Sequence, residues 1–423
     1  MGEWKRVKLG DISLVTKLAG YEFTKYMKYV PDGEIIAVRA LNLRDGTLDL
    51  SDVKRIERSV SLSLPRSQLH VGDIVLSYTG TIGACAYINA NDTYHLAPNV
   101  AKIEPRQTVV CPQFIFNYIR GDEFQQQLRD CQHGSTQPTI PMAEIRELQI
   151  PVPPLPTQRR IAAFLGALDD KIEVNRKICE NLEAQAQALF KAWFVDFEPF
   201  KGTMVDDSLW GEHPKELEYV RVGDLNPVLE TGSRPKGGAA TSGIPSIGAE
   251  NVKQLGVFDF GSKKYIPVEF AQKLKRGKIQ GYELLLYKDG GKPGMFKPHF
   301  SMFGEGFPYE ECYINEHVFK VDFGSCETNV FAYFYFKSQY VFSWLETNGA
   351  KAAIPGINQA NVLDVMMPDP KHALVKQFGE KVLPVFKMIF IKCKESRALA
   401  AMRDALLPKL MSGELAVEKV EGF

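Results

Sequence analysis

Two stretches decide the fold. Pro151–Trp193 reads PVPPLPTQRRIAAFLGALDDKIEVNRKICENLEAQAQALFKAW, and Pro368–Leu410 reads PDPKHALVKQFGEKVLPVFKMIFIKCKESRALAAMRDALLPKL. They align without gaps at an offset of 217, placing Leu182, Ala184, Ala188 and Leu189 on Leu399, Ala401, Ala405 and Leu406. Apolar residues recur at spacings of four and three. The first ladder is Ile161, Leu165, Leu168, Ile172, Leu182, Leu189 and Trp193; the second is Phe378, Val382, Val385, Ile389, Leu399, Leu406 and Leu410. That alternation predicts two long helices joined by a coiled-coil seam. Asn175 and Lys392 take equivalent seam places, where a polar residue costs stability but fixes register. Thr157 is the expected N-cap of the first helix, and Asp369 followed by Pro370 the expected start of the second. Pro384 should kink the second.

Working outward, the duplication covers the chain. Lys8–Ile12 (KLGDI) is echoed by Arg221–Leu225 (RVGDL), and Gly72–Tyr78 (GDIVLSY) by Gly281–Tyr287 (GYELLLY). A glycine-rich turn follows each, at Gly80–Gly83 and Gly290–Gly294. A repeat this long is a duplicated domain with a pseudo-twofold relation, not a solenoid. Short β-rich runs and a helical stretch precede each long helix, giving an α+β fold. The chain divides into a first domain (1–155), a helix (156–197), a second domain (198–368), a second helix (369–412) and a tail (413–423). The expected architecture is two tandem α/β domains, each followed by a long helix, with the helices packed antiparallel. A helix from Gln158 to Trp193 would span roughly 50 Å at ~1.5 Å per residue, longer than one ~34 Å turn of duplex DNA.

The chain has 423 residues, 45% of them hydrophobic, enough for several packed domains. Fifty-one basic residues balance 51 acidic ones, so any charge for nucleic acid must be local or supplied by a partner. No apolar run approaches a membrane span, and Met1–Lys8 carries no signal-peptide pattern, which points to the cytoplasm. The seven cysteines include no CxxC pair, and the histidines show no metal-ligand spacing, so neither a disulfide framework nor a metal site is expected. P-loop, GxGxxG, HExxH and GxSxG motifs are all lacking, and no catalytic residue is assigned. Asp32, Asp52 and Lys54 loosely fit a Mg²⁺-nuclease pattern, but Asp32 sits in a Pro-Asp-Gly turn and the repeat preserves none of it.

Local clusters are more informative. Lys17, Lys25 and Lys28 interleave with Tyr21, Phe23, Tyr26 and Tyr29, while Lys263–Lys278 is lysine-rich and Lys288, Lys292 and Lys297 flank the second glycine loop. Cations beside glycine-rich backbone suit phosphates, and polar tips suit base edges.

These residues resemble the specificity subunits of type I restriction-modification systems. The resemblance rests on the Leu9–Ile12 opening, the Tyr78–Gly83 loop, Gly134–Ile140 (GSTQPTI) running into Ile150–Gln158 (IPVPPLPTQ), and the closing Leu406–Leu415 (LLPKLMSGEL). It implies a non-catalytic subunit with two target recognition domains, each reading half of an asymmetric, bipartite site on double-stranded DNA. The helices would set the gap and dock two copies of a methylating modification subunit. Restriction/translocase subunits would join them. S-adenosylmethionine, ATP and Mg²⁺ would reside in those partners, with no cofactor in this chain and no membrane contact. By motif position, the first domain's DNA contacts would be Lys17, Tyr21, Arg39, Thr79, Thr81, Ser135, Thr136 and Gln137. The second domain's would be Ser233, Arg234, Lys236, Lys288, Lys292, Lys297, Lys351 and Asn358. Lys292→Ala would then weaken binding and lower its salt dependence by about one phosphate contact. The alternative is an adaptor with two protein-binding heads on a helical strut and no DNA contact.

Overall fold

The computed structural model describes residues 4–44, 46–134, 138–207, 211–258, 262–290, 294–351 and 355–419. Residues cluster into two units: 1–171 with 399–423, and 172–398.

Unit 1 holds two four-stranded sheets. In the first, Ser13–Lys17, Val100–Pro105, Ile74–Ser77 and Cys85–Tyr87 lie side by side, all antiparallel. In the second the order is Lys54–Ile56, Ile35–Val38, Tyr94–Leu96 and Gln68–Leu69, and its central pair is parallel. Arg6–Lys8 pairs with Gln149–Pro151, tying the start of the domain to its end. The helices Pro112–Arg120 and Asp122–Asp130 pack on the first sheet, with Phe114, Phe124 and Leu128 buried.

Unit 2 repeats this plan. Val228–Thr231, Val318–Asp322, Leu284–Tyr287 and Phe300–Ser301 form the antiparallel sheet. Lys264–Ile266, Ile244–Ile247 and Tyr313–Ile314 form the second, again with one parallel pair. Tyr219–Arg221 pairs with Met366–Pro368 as the terminal tie. The duplication read from sequence is thus a duplication of sheet order and strand sense.

The long helices run Leu155–Phe194 and Ala373–Ser412. In unit 1 the segments pack antiparallel: Ile161 and Leu165 share a core with Leu406, Leu407 and Leu410, and Asp169 bridges Arg403 (2.5 Å) and Arg120 (2.8 Å). In unit 2 the order is again antiparallel, with Cys179 against Ile389 and Trp193 against Phe378. Within unit 2 both helices also face the second domain. Ala186, Phe190 and Phe194 are buried with Phe331 and Phe334, as are Phe386 and Phe390 on the other helix. A seam pattern alone does not account for that second apolar face.

Two expected helix starts are corrected. Thr157 is not the N-cap; it lies inside the first turn of a helix beginning at Leu155. Asp369 and Pro370 precede the second helix. The Asp369 carboxylate accepts the Lys371 N–H (2.9 Å) and its carbonyl accepts the His372 N–H, which closes a local turn. The helix begins at Ala373, with His372 Nδ1 accepting the Leu374 N–H. A short Asx side chain favours its own turn over an extended cap. Pro384 is exposed, and the helix continues through it. Asn175 is fully buried; neither of its amide atoms has a hydrogen-bond partner among the described residues. Lys392 reaches Glu395 on its own helix at 2.7 Å.

Candidate nucleic-acid interface

In unit 1, the Tyr78–Gly83 loop connects two adjacent strands. Gly80 and Gly83 have φ of +78° and +90°, a conformation that favours glycine. Gly83 is doubly required, because a Cβ there would stand 2.2 Å from Gln125 Oε1. The loop is laced to the chain that follows the paired helices. Thr79 and Thr139 hydroxyls share a hydrogen bond (2.9 Å), the Gly80 N–H donates to the Pro138 carbonyl, and the Ile140 N–H to the Tyr78 carbonyl. Two motifs some sixty residues apart in sequence are therefore one surface. Lys17 Nζ stands 5.3 Å from the Tyr78 ring centroid and joins it. Thr81 is exposed in the same loop. Ser135, Thr136 and Gln137 lie outside the described residues.

Tyr21 is 69% exposed on the helix Gly20–Tyr26. Arg39 is occupied internally: Nη2 donates to the Asp52 carbonyl (2.6 Å) and carboxylate (3.1 Å), and Nε to Asn42. The same contact takes up Asp52. Among the described residues, no group of His, Cys, Asp and Glu is arranged to hold a metal.

Unit 2 builds the corresponding loop pair. The Gly290 N–H donates to the Pro355 carbonyl, the Ile357 N–H to the Lys288 carbonyl, and Asp289 bridges Gly356. Any side chain at position 356 would collide with Asp289, 2.6 Å from its Cβ. Where unit 1 presents hydroxyls, unit 2 presents charge. Arg234 pairs with Glu316 (2.8 Å), Glu316 with His317 (3.2 Å), His317 with Asp289, and Asp289 with Lys288 (3.4 Å). Lys288 also donates to the Glu316 carbonyl. Ser233 is half-buried and Lys236 exposed next to Arg234. Lys351 is exposed and donates to Asn348. Asn358 caps the helix Gln359–Leu363 by accepting the Asn361 N–H. The structure does not bring Lys297 to this network; it lines a cavity beside the long helices of unit 2. Lys292 lies outside the described residues.

Sequence reasoning missed a buried lysine paired with a carboxylate in each unit. In unit 2, Lys320 is 7% exposed; its Nζ meets Glu230 at 3.0 Å and Glu283 at 4.0 Å, and donates to the Lys278 carbonyl. Glu283 also accepts the Gln280 and Gly281 N–H groups, both at 2.7 Å. In unit 1, Lys102 is 4% exposed and pairs with Glu104 at 3.1 Å. Nearby Asp73 accepts the His70 N–H, and burial pushes its carboxyl above the usual range despite that bond and the Lys102 charge. The signal was present as Val100-Ala101-Lys102 against Val318-Phe319-Lys320, a lysine repeated mid-strand where an apolar residue is the norm.

Residues 1–184 match the model of the type I restriction modification DNA specificity domain. The MjaIX specificity subunit of Methanocaldococcus jannaschii is 28% identical over 356 residues, 82% of this chain and 79% of that one. The HindI specificity subunit of Haemophilus influenzae is 23% identical and matches 98% of this chain and 100% of its own. The crystal structure of the type I S subunit from M. genitalium superposes with a TM-score of 0.52, at 14% identity and 96% coverage of each chain, and so shares the fold. With that domain model matching residues 1–184, a shared fold and relatives of one kind along nearly its whole length, the chain is similar to the specificity subunits of type I restriction-modification systems.

Proposed function

We propose that this chain is the sequence-specific DNA-binding subunit of a type I restriction-modification complex, reading an asymmetric bipartite site and directing adenine methylation or restriction by its partners. The match of the DNA specificity domain over residues 1–184 carries this reading. The loop pair in unit 1 and its counterpart in unit 2 are the surfaces assigned to the DNA. Their chemistry differs, and that difference supports an asymmetric target. Hydroxyls at Thr79, Thr81 and Thr139 can donate or accept at any base edge. Asp289 and Glu316 can only accept, as from cytosine N4 or adenine N6, and Arg234 suits guanine. Two modification subunits and the restriction/translocase subunits are the proposed partners, and they would hold S-adenosylmethionine, ATP and Mg²⁺. Balanced charge on this chain leaves much of the electrostatic attraction to them.

Methylation mapping tests the reading, in cells carrying the modification partner with and without this gene. A gapped, two-part adenine motif that appears only with the gene is expected. No gene-dependent motif, with the partner shown to be active, overturns it and favours the adaptor. Within the complex, Lys17→Ala should weaken DNA binding and reduce the salt slope by about one. An unchanged slope would remove Lys17 from the interface.

A further inference from the structure

Cys179 and Cys393 stand on opposite long helices within unit 2, and each thiol perturbs the other's titration. Cys179 also donates its S–H to the Ile389 carbonyl, 3.7 Å away. Both line one cavity of about 760 Å³, together with Arg176, Ser396 and Arg397. Both are only partly buried, so a small solute reaches them. Cys85 and Cys312 differ: they are buried, and burial pushes each thiol up to about 12.

Two observations argue against a pair of inert packing residues. First, the duplication does not preserve the pair. At the offset of 217, Cys179 falls on Ser396 and Cys393 on Arg176, so the seam does not need thiols at these places. Second, the two sulfurs are unequal. Beside Cys179 and the Arg397 charge, the Cys393 thiol is pulled below its ordinary range against the effect of burial; Cys179 is pushed up. Gly256 leaves space for the reactive sulfur, since a Cβ there would stand 3.1 Å from Cys393 Sγ.

We propose that Cys179 and Cys393 form a peroxide-oxidisable dithiol that closes into a disulfide across the helix pair of unit 2. The Cys393 thiolate attacks one oxygen of hydrogen peroxide, the O–O bond breaks, and the leaving hydroxide takes a proton to become water. The Cys179 sulfur then displaces the oxygen of the resulting sulfenic acid, and its own proton leaves with that oxygen as a second water. Two thiols are oxidised, one peroxide is reduced, and two waters leave.

Peptide mass mapping of the full chain after peroxide treatment tests this. The expected product is a 179–393 cross-linked peptide, lighter by two hydrogens and released by dithiothreitol. In Cys179→Ser the sulfenic acid cannot be resolved, so dimedone should label Cys393 several-fold more than Cys111 or Cys131. Wild-type chain that keeps both thiols free, while other cysteines or a free cysteine peptide oxidise, overturns the proposal whether or not the variant folds. Dimedone labelling of Cys111 or Cys131 ahead of Cys393 in a folded Cys179→Ser chain overturns it as well.

Discussion

Phe378→Ala should destabilise unit 2 by about 3–5 kcal/mol, the usual cost of removing a fully buried aromatic ring. Phe378 has no solvent exposure, and its ring lies 5.6–6.3 Å from those of Phe190, Trp193, Phe194, Phe331 and Phe334. Those five neighbours come from the first long helix and from the helix Cys326–Phe336, so one ring joins three elements. Edge-on contacts of this kind add roughly 0.5–1.5 kcal/mol per pair beyond area burial. Guanidinium unfolding followed through tryptophan emission checks it, with Trp193 reporting from beside the deleted ring. Phe378→Leu should recover a large part of the loss. A midpoint equal to that of wild type would show that the junction collapses to fill the space.

Lys320→Met should cost about 3 kcal/mol or more, because it keeps the chain length but leaves two carboxylates, Glu230 and the buried Glu283, without their cation. The Lys278 carbonyl loses its donor as well. A second change, Glu230→Gln, should return part of that energy in a double-mutant cycle, since it removes one stranded charge. Additive losses would mean that Lys320 and Glu230 are not coupled. DNA binding is a separate readout: the strand carrying Lys320 supports the segment bearing Glu316 and His317, so residual folded protein should discriminate sequences less well in its second half-site.

Much of this was legible because the chain states it twice. Repeated KLGDI and RVGDL openings, glycine turns and 4-3 ladders each have one physical reading, and their order fixes the domain plan. What escaped has equally specific causes. Local turn chemistry won at Asp369, where a side chain that could cap the helix closes its own turn instead. The ladder marked one apolar face of each helix and passed over Ala186, Phe190, Phe386 and Phe390, whose spacing reads as ordinary variation until the domain core is seen against them. Arg39 and Asn358 had the right side chains for DNA, yet hydrogen bonds between residues distant or local in sequence give them work inside the fold. Lys297 shows the limit of counting charges near a loop. It follows the second glycine turn closely in sequence, but the chain carries it to a different wall of the unit.

The composition of unit 1 has a consequence for the timing of synthesis. Its core includes Leu410, Met411 and Val417, while its first segment ends at residue 171. A ribosome adding ~5–20 residues per second needs about 11–45 s to cross the intervening 227 positions (172–398). During that interval Ile161 and Leu165 await Leu410 and Met411, their eventual core partners. Unit 2, contiguous from 172 to 398, has all its parts earlier. The half of the protein that is translated first is therefore the half that finishes last, and a stall or premature stop in the closing helix leaves a completed second unit attached to an open first one.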